Sequence, residues 1–403
     1  MAHRPTPPPR SASANRVVTL LTLSAGLLLI VAGLILPAFV GRGVLQDLFF
    51  VATMLSLAEC WNLLAGYAGL VSIGQQAFVG LGAYSLFAAS LAGIDPLVGI
   101  PLAGGVALLL ALPTALIVFR LRGAYFAVGT WVAAEVYRLL LAEAKWLGGG
   151  TGTSLGPEIT NQMAGLDFIK RLFDVRSAAA RDIAVYWAAL ILLIATIAAV
   201  YLLLRSRRGL ALAAIRDAAA AAESVGVDGF ETRLFVYGLT AFVTGMVGAL
   251  IYLQKARISP DAAFSVLDWT AYVIFIVVIG GIGTIEGPII GAIVLYVLQS
   301  YLAALGTWYL ISLGALAALI MLIAPKGLWG LIGERFDLQL FPLRRHFVEP
   351  SGHSAAEGGV RHGRPSKNGR DQNRTTIYGM DDAFVIQPGS TSGSGTDSRS
   401  SRV

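Results

Sequence analysis

The sequence predicts an all-α polytopic membrane protein of about ten transmembrane helices, some Gly-rich and broken, with disordered polar termini. Three observations predict it. Charged residues make up only 13% of the 403-residue chain while apolar residues reach 56%, against roughly 25% charged in an ordinary soluble domain. Mean hydropathy is +0.71. Between Val17 and Phe119 the only ionisable Asp, Glu, Lys, Arg or His side chains are Arg42, Asp47, Glu59 and Asp95, too few to cover that stretch with a water-facing surface. Lipid is the solvent that fits.

The elements follow in order. Residues 1–16 are rich in Pro, Ser and Arg and are expected to be a disordered cytoplasmic N-terminus. The apolar run 17–40 exceeds the roughly 7–15 residues of a signal-peptide core and lacks a small-x-small cleavage site, so it reads as a retained span. Further spans are expected at 44–65, 67–92, 97–119, 124–142, 184–204, 233–253, 268–282, 286–303 and 307–324. Together, 17–332 reads as one transmembrane domain. An even number of crossings puts both termini on one side, and Lys and Arg decide which. The segments that would share the N-terminal side hold Arg4, Arg10, Arg16, Arg120, Arg122, Arg205, Arg207, Arg208, Arg216, Lys326, Arg335, Arg344 and Arg345. Short turns on the other side hold Arg42, Lys255 and Arg257. The long external loop 143–183 balances its basic and acidic residues and does not vote. Both termini are therefore expected in the cytoplasm. Residues 347–403 turn to Ser, Gly, Arg, Asp and Asn, with too little apolar surface to offset chain entropy, and read as a disordered tail.

Composition also excludes chemistry. Cys60 is the only cysteine, so no disulfide framework or thiolate cluster is expected. The four histidines, His3, His346, His353 and His362, lie outside the apolar body, which removes a His-based triad, metal site or proton relay in the membrane. No GxxxxGK[ST] loop occurs, so no P-loop ATP hydrolysis is expected. A net charge of +6 concentrated at span ends marks topology and gives no nucleic-acid surface.

Four segments stand out. AGYAGLVSIGQQAFVGLGAY (65–84) sets Ser72, Gln75 and Gln76 among glycines inside a span. The glycines suit close helix packing. The two amides point about 100° apart on a helix, so at least one needs a partner beyond a single neighbouring helix. GGIGTIEGPIIGA (280–292) places four glycines before Pro288, which argues against an unbroken helix, with Glu286 at its centre. The two segments occupy comparable places in the two halves of the apolar body, the pattern of a central transport pathway. The topology, however, puts 283–287 in a cytoplasmic turn with Glu286 hydrated. RSRRGLALAAIRDAAAAAESVGVDGFETR (205–233) is an Ala-rich helical insertion in which Gly226 can cap the helix. It suits docking into a groove of a soluble partner, or simply connects two spans. In FRLRGAYFAVGTWVAAEVYR (119–138), Glu135 and Arg138 form an i,i+3 ion pair by spacing, with a proton-carrying Glu135 as the rival reading.

The order SIGQQAFVGLGAY, LRGAYFAVGTWVAAE, LAAIRDAAAAAESVGVD, GGIGTIEGPIIGA and LIAPKGLWGLI resembles the LivM-type permease subunits of branched-chain amino-acid ABC importers, over about 45–332. The resemblance implies a bacterial inner-membrane permease that moves branched-chain or related hydrophobic amino acids by alternating access. It implies four kinds of surroundings: a second, related permease subunit, two cytoplasmic ATPase subunits, a periplasmic substrate-binding protein, and membrane lipid. ATP and Mg would be used by the ATPases, with no cofactor or metal on this chain, which would not itself be an enzyme. It further implies a pathway lined by the 72–84 element, hence Ser72, Gly74, Gln75, Gln76, Phe78, Gly80 and Tyr84, to which the pairing of the two Gly-rich segments adds Gly283, Thr284, Glu286 and Gly287 as candidates. ATPase coupling would fall to Arg216, Asp217, Ala221, Ala222, Glu223, Ser224 and Gly226, within a cytoplasmic coupling loop at 205–232. The family usually carries GG-(Ser/Thr)-(Asn/Asp)-Gly after the fifth span; this chain has GGGTGTSLG at 148–156, without the Asn or Asp. Permeases of the same type carry urea or short amides, and these motifs do not separate the cargoes. An ion-coupled secondary transporter would need midplane titratable groups, for which Glu59 and Glu135 are the candidates. A membrane enzyme would need a nucleophile–base pair or metal set that the apolar body lacks.

Overall fold

A chain in lipid must satisfy its backbone N–H and C=O groups internally, and the apolar runs accordingly fold as helices. The computed structural model describes residues 30–302, 305–324 and 326–336. The polar termini expected to be disordered, and most of the expected span 17–40, lie outside the described residues.

Helix α1 covers Arg42–Asn62 and widens into a π-helical turn at Leu63–Tyr67. Residues 68–74 are not helical, and α2 begins only at Gln75, running to Leu91. The expected span 67–92 is thus a broken one, as its glycines suggested. Helix α3 (Pro96–Val118) starts on Asp95, whose Oδ1 accepts the Leu97 N–H at 2.8 Å with Pro96 in the first turn. One of the few charges in the first third of the chain is therefore an N-cap. Helix α4 (Ala124–Ala142) carries the expected Glu135–Arg138 pair, and Arg138 also bridges to Asp261 at 2.7 Å.

The segment after α4 contains strand β1 (Thr153–Ser154) and helix α5 (Leu166–Phe173). β1 pairs antiparallel with β2 (Arg257–Ile258), Thr153 opposite Ile258. GGGTGTSLG has a structural task here: Gly152 sits at φ +81°, and a Cβ on it would lie 1.9 Å from the Ile258 carbonyl oxygen. Then come α6 (Ser177–Arg205), α7 (Arg207–Ser224) and α8 (Gly229–Lys255). A short helix Pro260–Ala263 and a π turn Leu267–Ala271 lead into α9 (Tyr272–Gly280). The last described helices are α10 (Glu286–Leu302), α11 (Thr307–Ile323) and α12 (Gly327–Phe336).

Among the described residues, five helical stretches are long and apolar enough to cross a membrane: Arg42–Tyr67, Pro96–Val118, Ser177–Arg205, Gly229–Lys255 and Pro260–Gly280. The bent pair α11–α12 makes up to six. The protein is an all-α, multi-pass membrane protein.

The core is organised around α8, which packs on both α2 and α3. Helix α3 offers it a ridge of Ala103, Ala107, Ala111 and Ala115, each spaced by four residues and each fully buried. On the facing helix, a Cβ at Gly245 would lie 2.5 Å from that of Ala107. On α2, a Cβ at Gly82 would lie 2.0 Å from the Gly245 carbonyl oxygen. Small residues bring the backbones together because lipid supplies no hydrophobic drive between helices, leaving close van der Waals packing to hold them. At the end where α1 starts and α8 finishes, the buried Asp182 carboxylate gathers Arg42 (2.7 Å), Gln46 (3.4 Å) and Gln254 (3.2 Å), tying α1, α6 and α8.

Candidate functional site

The first Gly-rich segment is built into helix seams. The Trp61 indole N–H donates to the Ser72 carbonyl at 2.8 Å, and the Ser72 hydroxyl accepts the Gly74 N–H at 3.2 Å. Gly74 rests on the Thr130 backbone, whose hydroxyl accepts the Ile73 N–H at 3.1 Å. The adjacent amides do split, as their helical angle requires. Gln75 donates to the Leu57 carbonyl of α1 at 2.9 Å, while Gln76 accepts from the Thr270 hydroxyl in the π turn before α9. Phe78 meets Tyr237 edge-on at 5.5 Å between ring centroids. Gly80 leaves room for the Phe264 ring, and Tyr84 lies 6.4 Å from that same ring. Ser72, Gly74, Gln75, Gln76, Phe78, Gly80 and Tyr84 are all buried.

The second Gly-rich segment folds against the end of α1. Asn62 makes a reciprocal clamp on it: its Oδ1 accepts the Gly283 N–H at 2.8 Å and its Nδ2 donates to the Thr284 carbonyl at 2.8 Å. Gly283 adopts φ +78°, which lets the chain reverse under Gly66, and a Cβ on Gly66 would lie 2.7 Å from the Gly283 nitrogen. The Thr284 hydroxyl donates to the Gly281 carbonyl at 2.9 Å and accepts the Gly287 N–H at 3.1 Å, opening α10. Gly287 and Gly291, one helical turn apart, let α10 press against the backbone of α9. The topology pointed to a hydrated Glu286. Instead, Glu286 is the first residue of α10 and only 7% exposed, because the glycine turn tucks beneath α1.

Segment 205–232 reaches this junction through Arg216, with Leu212 buried in the same apolar cluster as Leu63, Leu64 and Ile285. Arg216 donates from Nη1 to the Gly66 carbonyl at 3.2 Å and from Nε to Asp217 at 3.0 Å. Gly66 lies in the final turn of the α1 helical stretch, where carbonyls lack intrahelical donors and a cation is favoured. Leu212, Ile215 and Ala222 bury one face of α7, while Asp217, Ala221, Glu223, Ser224 and Gly226 are exposed. The helix is interrupted at Ala218, which departs from helical geometry. Its end is a Schellman cap: the Val227 N–H reaches the Ala222 carbonyl and the Gly226 N–H reaches that of Glu223, both at 3.0 Å, with Gly226 at φ +85°. Asp228 then caps α8 by accepting the Glu231 N–H at 2.9 Å.

The structure thus unites Gly283, Thr284 and Arg216 around Gly66, and leaves Ser72–Tyr84 in neighbouring seams. Sequence reasoning missed Asn62, although an amide inside the apolar run AECWNLLAGY is itself a signal. Glu59, one turn before Asn62, is fully buried, and neither carboxylate oxygen has a hydrogen-bond partner among the described residues.

A family described as "Branched-chain amino acid transport system / permease component" matches residues 43–325. The high-affinity branched-chain amino acid transport system permease proteins LivM of Salmonella typhimurium and Escherichia coli K12 are each 29% identical over 331 residues, 73% of this chain and 77% of theirs. A probable branched-chain amino acid transport permease protein LivH from Methanocaldococcus jannaschii is 31% identical over 140 residues, 32% of this chain and 43% of its own. No solved structure matches the chain at a significant level. With the match covering most of the chain, including both Gly-rich segments and Arg216, the protein belongs to the family of permease components of branched-chain amino acid transport systems.

Proposed function

We propose that the chain is a permease subunit of an ATP-driven importer for branched-chain amino acids. In this reading it sits in the bacterial inner membrane with both termini in the cytoplasm. A related second permease completes the pathway, two cytoplasmic ATPases use ATP and Mg, and a periplasmic binding protein delivers substrate. This chain binds no cofactor of its own. Ser72–Tyr84 and Gly283–Gly287 border the route along which the helices rock between outward- and inward-open states.

The observation that carries this reading is the contact of Arg216 with the Gly66 carbonyl. A helix that leaves Glu223 and the Gly226 cap exposed is shaped to meet a partner that supplies force. Through Arg216 the same helix holds the Gly66 carbonyl, whose oxygen lies 3.6 Å from where a Cβ on Gly283 would sit, and Asn62 fixes that turn to α1. Displacement of α7 by an ATPase would therefore reach α1 and α10 together.

Uptake of isotopically labelled leucine and urea by vesicles holding the assembled complex tests the function. Leucine is expected to accumulate only with ATP, and urea not at all; accumulation of urea in place of leucine moves the assignment to the amide carriers. Glu223→Lys and Gly226→Trp are each expected to abolish uptake with membrane insertion intact. The first reverses an exposed charge, and the second forces a large side chain into a left-handed backbone position. Normal uptake in either variant removes the coupling role. Glu59, buried without a hydrogen-bond partner among the described residues, favours one competing reading, an ion-coupled transporter. That reading requires uptake without ATPase subunits that collapses with an uncoupler.

A further inference from the structure

The segment between α4 and α6 is fastened to the rest of the chain at two points. Strand β1 pairs with β2, and the Ala164 N–H donates to Asp95 Oδ2 at 2.7 Å, on the carboxylate that also caps α3. Two residues later α5 begins, and at about 100° per residue its side chains divide into three sectors. Leu166, Ile169 and Phe173 face the protein. The first two are buried, and the Phe173 ring meets that of Trp187 on α6 at 5.8 Å between centroids. Asp167, Lys170 and Arg171 form a polar sector, with Lys170 bridged to Asp167 at 3.0 Å and Arg171 exposed. Phe168 and Leu172, one turn apart, make the third sector and are 66% and 58% exposed.

The depth of α5 decides what meets that apolar pair. Helix α6 has 29 residues, about 43 Å of rise, against a hydrocarbon core of about 30 Å. Arg205 ends α6 at the inner boundary, so about 20 residues of rise put the outer boundary near Val185, within one turn of Trp187. Below that level α6 turns Ile191, Ala195, Ala198 and Leu202 outward, an exposed apolar stripe of helical period that suits lipid. Trp187 lies at the head of this stripe, so α5 rests where the lipid-facing surface reaches the headgroups. An apolar pair at the boundary, an arginine beside it and a polar sector on the other flank are the parts of an interfacial helix. We infer that α5 lies along the outer leaflet, with Phe168 and Leu172 in the acyl boundary and Arg171 at the phospholipid phosphates. The bilayer is then a third fastening of the external segment, beside β2 and Asp95. None of these residues belongs to either Gly-rich segment, and the anchor holds whether or not the chain works as an importer.

The test attaches a nitroxide to Asp167→Cys, Phe168→Cys, Arg171→Cys or Leu172→Cys, one at a time. Each variant is the full chain, assembled with cysteine-free partner subunits in nanodiscs of phosphatidylethanolamine and phosphatidylglycerol. Cys60 is buried, so the introduced thiol is the reactive one on this chain. Collisions with oxygen, which dissolves in lipid, and with a water-soluble nickel chelate report depth. Labels at 168 and 172 are expected about 5–10 Å below the phosphates, favouring oxygen. Those at 167 and 171 are expected at or above the phosphates, favouring nickel. Phe168→Glu is expected to shift a label at 172 toward the water, and Phe168→Leu to leave it in lipid, with co-purification of the partner subunits as the check on folding. Nickel contact at all four positions overturns the inference, because the pair then faces water. Labels at 168 and 172 that neither collider reaches overturn it as well, because a protein, such as the second permease or the binding protein, then covers the pair. A label at 172 that keeps its depth in Phe168→Glu shows that this pair is not the anchor.

Discussion

Gly82→Ala, a change of one methyl group, is expected to abolish the folded protein. The added Cβ would lie 2.0 Å from the Gly245 carbonyl oxygen and 2.5 Å from its carbon. Both are backbone atoms of α8, so no flexible side chain can swing aside. Relief requires moving α2 away from α8, and α8 is itself pinned on its other face by the alanine ridge of α3. Overpacking usually costs about 1–3 kcal/mol; a clash between two backbones should exceed that and reach the ~4 kcal/mol of exceptional substitutions. Gly105→Ala is the matched control. Gly105 sits in α3 with nothing within 4 Å of its would-be Cβ, and its substitution is expected to be neutral. Thermal unfolding in detergent, read by the monodisperse fraction after heating, compares the two. Equal stability of the two variants would mean that the α2–α8 seam is looser than its geometry.

The second large effect is expected at the junction. Arg216→Ala removes the donor to the Gly66 carbonyl, and Asn62→Leu removes the clamp on Gly283 and Thr284. Arg216 is exposed and its loss should change stability little, because water can replace it at one carbonyl. Asn62 is fully buried, and its replacement orphans one N–H and one C=O, at about 1–3 kcal/mol each. On the proposed mechanism both variants hydrolyse ATP but move little leucine. Leucine carried per ATP is expected to fall by about tenfold, the effect of losing roughly 1.4 kcal/mol of coupling. Combined, the two substitutions should cost no more transport than the worse one alone, since they break one chain of contacts in series. Full additivity, or an unchanged ratio of leucine to ATP, would show that force reaches the helices by another route.

These two sites differ in how far they can be read from residues alone. The cap at Gly226 is legible because a Schellman motif closes within six residues: a helix-favouring run, a glycine and an apolar residue suffice to place it. The split of Gln75 from Gln76 follows from the helical angle alone. The alanine ridge was present in PLAGGVALLLALPTALIV as a four-residue period but is visible only when small residues, and not merely apolar ones, are tracked. The Asn62 clamp joins residues 221 positions apart, and no local pattern announces which backbone an isolated amide will meet.

The amino-acid sequence by itself determined the solvent, the helical class and the approximate place of the helices, because the cost of exposing polar backbone to lipid is paid residue by residue and is legible in composition. It also marked where backbones approach, since glycine is the residue that permits approach. Which backbone arrives there is a pairwise matter, decided only when the helices pack. Tertiary structure therefore chose Gly245 as the partner of Gly82, set Gly283 under Gly66, buried Glu286 where topology had hydrated it, and gathered Arg42, Gln46 and Gln254 around Asp182.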